Sequence, residues 1–150
     1  MIYRLLYLSI FLNNCAGTDF IVYTTDTGYP DRYLSDELFD YLLEFQEDAA
    51  DYGRELASLD RLEYDDSLPE GVAGRCTVSF NSYSRFRHIK VKSGYLPWQL
   101  KGLVYHEFGH CLLGLGHANY GIMLSEMQSE EYYKNNWLDL VKVLFSSTDN

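Results

Sequence analysis

The chain has 150 residues, of which 47% are apolar and 23% charged, and 22 acidic against 12 basic side chains give a net charge of −10. This size and composition are typical of a single globular domain with its own core, and they exclude collagen-like, disordered and coiled-coil proteins. Because nucleic-acid binding needs clustered Lys and Arg and the sequence has no long basic run, we expect no nucleic-acid partner.

The N-terminal segment is similar to an export signal. A short start with Arg4 precedes an apolar run at 5–12, which is too short to cross a bilayer but fits the centre of a secretory signal. The length before Cys15 favours a lipoprotein signal. We therefore predict a signal segment at 1–15, one domain at 16–150, a secreted or cell-envelope location, and membrane attachment through a lipidated Cys15. The alternative is a buried strand in a cytoplasmic or phage-encoded protein.

The spacing of apolar residues predicts the elements of the rest of the chain. Strands are predicted at 19–26, 59–64, 75–80 and 88–93, the last two as a hairpin. Helices are predicted at 33–52, at 97–110 and from Ser129 onward. This order predicts an α+β fold with α/β-like character, in which a small twisted mixed sheet packs against helices.

Charge is unevenly distributed along the chain. Residues 31–70 hold fourteen acids and three bases, whereas 75–101 hold six bases and no acid. Two solvated faces of opposite sign account for this pattern. A sharper hypothesis is that the basic segment flanks a cleft and favours acidic peptides.

The cysteines leave two interpretations open. If Cys15 is lipidated, Cys76 and Cys111 remain, and an export compartment allows them to pair. Two buried thiols fit the sequence equally well, because a disulfide requires that the two Cβ atoms approach each other and the sequence does not show this.

Three of the four histidines lie within twelve residues. His106 and His110 are four apart, so on a helix both imidazoles project from one face, about 6 Å apart, and can bind one ion. Glu107 lies beside the pair, where a carboxylate can hold and deprotonate a metal-bound water. The opposite face of this helix is apolar and is expected to pack on the sheet through Leu100, Val104, Phe108 and Cys111.

The third histidine requires a reversal of the chain. His117 lies eleven residues after His106, so a continuous helix would carry it about 16 Å along the axis, out of reach of a shared ion. Gly114 and Gly116 remove this obstacle, because glycine tolerates the positive φ that ends a helix. Three neutral imidazoles and a water form the open tetrahedral site of catalytic zinc, so we predict Zn²⁺ at His106, His110 and His117.

The segment HEFGHCLLGLGH, followed by Tyr120-Gly121-Ile122-Met123, resembles the metzincin class of zinc metallopeptidases. Their motif HExxHxxGxxH precedes a tight turn with a methionine beneath the metal, and the resemblance is close over 97–127. One extra residue precedes the third histidine here, as in small bacterial metallopeptidases with HExGHCxLxxxH, in which a Gly-x-Cys strand precedes the helix as at 74–76. The resemblance implies that His106, His110 and His117 are the zinc ligands. It also implies that Glu107 is the general base and Met123 the turn methionine.

The function implied by this resemblance is that of a zinc-dependent endopeptidase acting on peptide or protein substrates, with Glu107 passing a proton from the water to the leaving amine. We expect a monomer that binds an extended substrate along the strand at 88–93. His88, alone in that strand, is interpreted as a surface or hydrogen-bonded residue.

Two other functions remain open. A gluzincin-type, thermolysin-like peptidase would keep the histidine pair and take its third ligand from a downstream glutamate such as Glu130, although an acid there also fits the first turn of a helix. A non-catalytic, zinc-stabilised surface binding domain would need a fourth protein ligand. Cys111 is not suited to that role, because it points about 100° away from His110 on the helix.

Overall fold

The computed structural model describes residues 17–18, 22–25, 33–80 and 85–146. The strands are β1 (Gly17–Thr18), β2 (Val22–Thr25), β3 (Tyr33–Leu34), β4 (Arg61–Tyr64), β5 (Val72–Phe80) and β6 (Arg85–Val91). The helices are α1 (Asp36–Asp51), α2 (Pro97–Leu113) and α3 (Glu130–Ser146). The predicted export signal at 1–15, including Cys15, lies outside the described residues. Among the helices of the described ranges, none has the length and apolar character needed to cross a membrane.

The strands form one mixed sheet. Its order is β1 and β2 along the same edge of β5, then β5, β6, β4 and β3. β5 and β6 are antiparallel and all other pairs are parallel. The predicted α+β fold, with a small mixed sheet and helices packed on it, is therefore confirmed, and so is the hairpin formed by the third and fourth predicted strands.

β6 lies inside the sheet and not at its edge. His88 pairs with Thr77 of β5 on one side and with Arg61 of β4 on the other, and the register continues to Val91 on both sides. A peptide can add only to a strand whose backbone N–H and C=O groups are unpaired. The expectation that substrate lies along 88–93 is therefore wrong, because both edges of β6 are already occupied there.

The first helix begins later than its apolar spacing predicts. Tyr33 and Leu34 form β3, and the backbone N–H groups of Tyr33 and Ser35 donate to the carbonyls of Asp60 and Leu62 at 3.0 and 2.8 Å. Pairing with β4 therefore takes these residues out of the helix. At the other end, the chain leaves the helix at Gly53, which follows the C-cap residue Tyr52 and adopts a left-handed φ of 64°.

α2 is the central element of the core. It packs on β5 and β6 and also contacts α1 and α3, so every residue from 102 to 113 is buried. A helix enclosed by other elements needs no polar face. Phe108, for example, contacts Phe45 of α1, with 5.0 Å between ring centroids. The apolar side chains of α3 that recur at helical spacing, Tyr133, Trp137, Val141 and Leu144, are also buried.

Candidate metal centre

The imidazole rings of His106 and His110 are held by backbone carbonyls. Nδ1 of His106 lies 2.7 Å from the carbonyl oxygen of Ile122, and Nδ1 of His110 lies 2.6 Å from that of Leu115. A carbonyl only accepts hydrogen bonds, so each Nδ1 carries the proton and donates it. Each Nε2 is therefore left with a lone pair, which is the form in which histidine binds a metal.

The two Nε2 atoms lie 2.9 Å apart. Two lone pairs at this separation repel each other, and a cation between them turns the repulsion into attraction. Zinc–nitrogen bonds of about 2.0–2.1 Å in tetrahedral geometry place two ligand nitrogens about 3.3 Å apart. The orientation and spacing of His106 and His110 therefore fit a shared metal ion.

His117 completes the donor set after a reversal of the chain. Gly114 follows α2 with a left-handed φ of 71°, and the N–H groups of Gly114 and Leu115 both bond to the carbonyl of Gly109. The ring of His117 then lies 5.1 and 4.8 Å, centroid to centroid, from the rings of His106 and His110. The ligand atoms of the three residues all lie within 4.8 Å of one another, close enough to hold a metal ion.

The reversal differs in one detail from the prediction. Gly114 adopts a positive φ, but Gly116 does not. A Cβ at Gly116 would meet no atom within 4 Å. Gly114 alone therefore provides the left-handed conformation that ends α2.

Burial keeps the histidines neutral. His106 and His110 are 2% and 1% exposed, and desolvation lowers the pKa of His106 to about 3 and that of His110 to about 4. His117 is more exposed, and desolvation lowers its pKa as well. Because only the deprotonated imidazole binds a metal, these shifts reduce competition from protons at neutral pH.

Glu107 lies between α2 and the sheet. Its side chain is fully buried and contacts Gly74 of β5 so closely that a Cβ at Gly74 would lie 2.6 Å from Oε1. Glu107, which the sequence predicts to be the general base, is therefore buried at the contact between α2 and β5 and directly follows His106 in the chain.

Met123 contacts α2 at Gly109, a residue between the two histidines in the chain. Its turn is closed by a 2.9 Å hydrogen bond from the N–H of Ala118 to the carbonyl of Met123 and contains Gly121 at a φ of 89°. A Cβ at Gly109 would overlap the Met123 sulfur. Glycine at this position therefore allows the methionine to pack closely against α2.

Cys76 and Cys111 form a disulfide, with 5.6 Å between their Cα atoms. The sequence left open whether these cysteines form a disulfide or are two buried thiols, and the structure shows the disulfide. The bond joins β5 to α2 at the residue next to His110. It therefore fixes the sheet to the turn of the helix that carries this histidine.

Glu130 is not part of the cluster. In the part of the chain that the structure describes, the group of side chains placed to hold a metal consists of His106, His110 and His117. Glu130 is the first residue of α3, where a negative charge is favourable. The structure thus brings His117, and not Glu130, to the histidine pair.

His88 lies apart from this centre, in a charged cluster on β4 and β6. Its Nε2 is 2.8 Å from Oε1 of Glu63, whose other oxygen accepts a 2.8 Å hydrogen bond from Arg61. Lys90 pairs with Asp65 at 2.6 Å in the same region. His88 is therefore a hydrogen-bonded residue, as predicted, and part of the charge asymmetry of the sequence is used in pairing within the fold.

Two glycines of the site were named from the sequence only as parts of the motifs of the resembling family, and what they do here was not predicted. Gly74 and Gly109 provide space for Glu107 and Met123, respectively. Their signal was a glycine inside a strand and inside a helix, where it lowers stability unless another group needs the space.

We compared the chain with protein-family models, with curated proteins and with solved structures, and none of them matches it.

Proposed function

We propose that this protein is a zinc-dependent endopeptidase of the metzincin type, which hydrolyses peptide bonds in peptide or protein substrates. The observation that carries the proposal is the convergence of three imidazoles, two of which belong to the helix that also carries the buried Glu107. Three protein ligands leave one position for water or substrate, which is typical of catalytic zinc, whereas structural zinc has four. The resemblance of 97–127 to the metzincin motif supports the same assignment.

Zinc as the bound ion is supported by the chemistry of the donors. Imidazole nitrogen suits several transition metals, including zinc, copper, iron and nickel. A set of three imidazoles with the second nitrogen of His106 and His110 fixed by carbonyls is typical of catalytic zinc. When bound, zinc would polarise the scissile carbonyl and acidify the attacking water.

The protein's own groups perform the remaining steps. Ile122 and Leu115 hold the imidazoles in the ligating tautomer through their carbonyls. Glu107 accepts a proton from the attacking water and delivers it to the leaving amine.

Substrate is proposed to approach from the side of His117. His106 and His110 are almost fully buried, whereas His117 is half-buried. The loop that carries it is exposed at Gly114, Gly116 and 118–120. Substrate would therefore reach the three histidines across this loop, and not by backbone pairing with strand 88–93.

The test is to replace Glu107 by Gln and to measure zinc content and peptide hydrolysis together. We expect Glu107→Gln to keep one zinc per chain and to lose at least about 100-fold in hydrolysis, the contribution typical of a general base. Retained hydrolysis with zinc bound would contradict the role of Glu107. If the zinc-loaded wild type hydrolyses no member of a broad peptide library, the protein is a zinc-stabilised binding domain instead.

The gluzincin-type alternative is tested by a matched pair of variants. His117→Ala is expected to lose zinc, whereas Glu130→Ala is expected to retain it, because only His117 lies with the other two histidines. The opposite result would assign the third ligand to Glu130.

A further inference from the structure

β5 and α2 are attached to each other at two neighbouring points. Cys76 is bonded to Cys111, and Gly74 contacts Glu107. Two residues of a strand span about 6.6 Å, and one turn of four helical residues spans about 6 Å. The spacing of the attachment points is therefore nearly equal on the two elements, and they run in the same direction here.

The contact between Gly74 and Glu107 is possible because glycine has no side chain. A Cβ at this position would lie 2.6 Å from Oε1, 2.9 Å from Cγ and 3.0 Å from Cδ of Glu107, all well inside the optimal carbon contact distance of about 3.5–4.0 Å. Gly74 is not among the glycines with positive φ. Glycine is therefore needed here for space and not for its backbone conformation.

We propose that Gly74 is a positioning residue for Glu107, and this inference rests on the proposed function only for the role that it gives to the carboxylate. The Glu107 side chain occupies the space that any other residue at position 74 would fill. The Cys76–Cys111 disulfide, one step further along both elements, keeps α2 in register with that space. α2 thus positions the imidazoles, and β5 positions the base.

A double-mutant cycle of thermal stability tests the contact without using activity. In ordinary strand conformation, Gly→Ala is neutral or stabilising, because it restricts the unfolded chain. Here the overlap with Glu107 should lower the Tm of Gly74→Ala by about 3–10 °C. In the Glu107→Ala background the overlap is gone, so the same change should leave Tm unchanged or raise it by about 1–4 °C. An equal Tm change in both backgrounds would overturn the proposal.

A second measurement separates positioning from general damage to the fold. In the zinc-loaded protein, Gly74→Ala is expected to lower kcat by about 100-fold, the effect of displacing a catalytic group by about 1 Å, with KM and zinc affinity unchanged. A parallel loss of zinc affinity, or a rise in KM without a fall in kcat, would assign Gly74 a merely structural role.

The two proposals fail in different ways. If the zinc-loaded wild type hydrolyses no peptide, the proposed function is wrong, but a Tm loss that disappears in the Glu107→Ala background still establishes the space at Gly74. If Gly74→Ala lowers Tm equally in both backgrounds, the positioning inference is wrong even when the enzyme is active.

Discussion

The candidate metal centre and the charged cluster around His88 both contain histidine, but the surroundings of the rings differ. His88 shares a carboxylate with Arg61 on the sheet, so its Nε2 is engaged by Glu63. At the metal centre, carbonyls fix Nδ1 of two rings and both Nε2 atoms face each other. The two regions therefore differ in what the Nε2 atoms meet: that of His88 meets a carboxylate, whereas those of His106 and His110 face each other, as two ligands of one metal ion would.

The largest effect that distinguishes the two regions concerns metal affinity. His110→Ala removes one of three ligands and should reduce zinc affinity by more than about 100-fold, above the usual cost of losing an outer partner. His88→Ala is the matched control and should keep one zinc per chain. Isothermal titration calorimetry of both variants measures the difference. Equal losses in the two variants would remove the distinction between the histidines.

The next effect concerns the attachment of α2 to β5. Replacing both cysteines, Cys76→Ala with Cys111→Ala, removes a crosslink between residues 35 apart, which should lower the free energy of unfolding by about 3–4 kcal/mol. Because the histidines remain, zinc at saturating concentration should still bind and recover part of the lost stability. Urea unfolding with and without zinc checks this. Unchanged stability would show that the crosslink adds nothing to the packing.

The smallest effect concerns the charged cluster and depends on pH. Burial raises the pKa of Glu63, but the hydrogen bonds from Arg61 and His88 outweigh it and hold the pKa below its usual value of 4.5. The ionised form therefore stabilises the folded state above about pH 4.5, and this contribution is lost as pH falls through the lower folded value.

Glu63→Gln should accordingly cost about 0.5–1 kcal/mol at pH 7, since the ion pairs are partly exposed, and nothing once pH falls below the pKa of the folded state. Unfolding by urea across pH 3–7 measures the difference between the variant and the wild type. A cost that persists at pH 3 would show that the carboxylate charge is not its cause. At each pH, the zinc content of Glu63→Gln should equal that of the wild type.

Local spacing predicted most of the metal centre. The interval of four between His106 and His110 needs only helical geometry, and the return of His117 needs only a glycine that can adopt a left-handed conformation, which Gly114 does. The pairing of Cys76 with Cys111 was undecided, because it depends on the distance between a strand and a helix and not on either element alone.

Features that depend on neighbouring elements were less accessible from the sequence. Tyr33 and Leu34 have helical spacing but form β3, because β4 offers backbone partners. β6 is an interior strand because it pairs with β4 on the side opposite β5. The sequence pattern of a hairpin shows only the pairing of β5 with β6. The space that Gly74 leaves for Glu107 likewise appears only when strand and helix are brought together.

X-ray absorption spectroscopy at the zinc edge of the loaded protein tests the central claim most directly. Three imidazole nitrogens at about 2.0–2.1 Å with one further oxygen are expected, and the signal of one imidazole should disappear in His117→Ala. A shell with two imidazoles, a sulfur ligand or a spectrum unchanged by His117→Ala would contradict the convergence of His106, His110 and His117 on one ion.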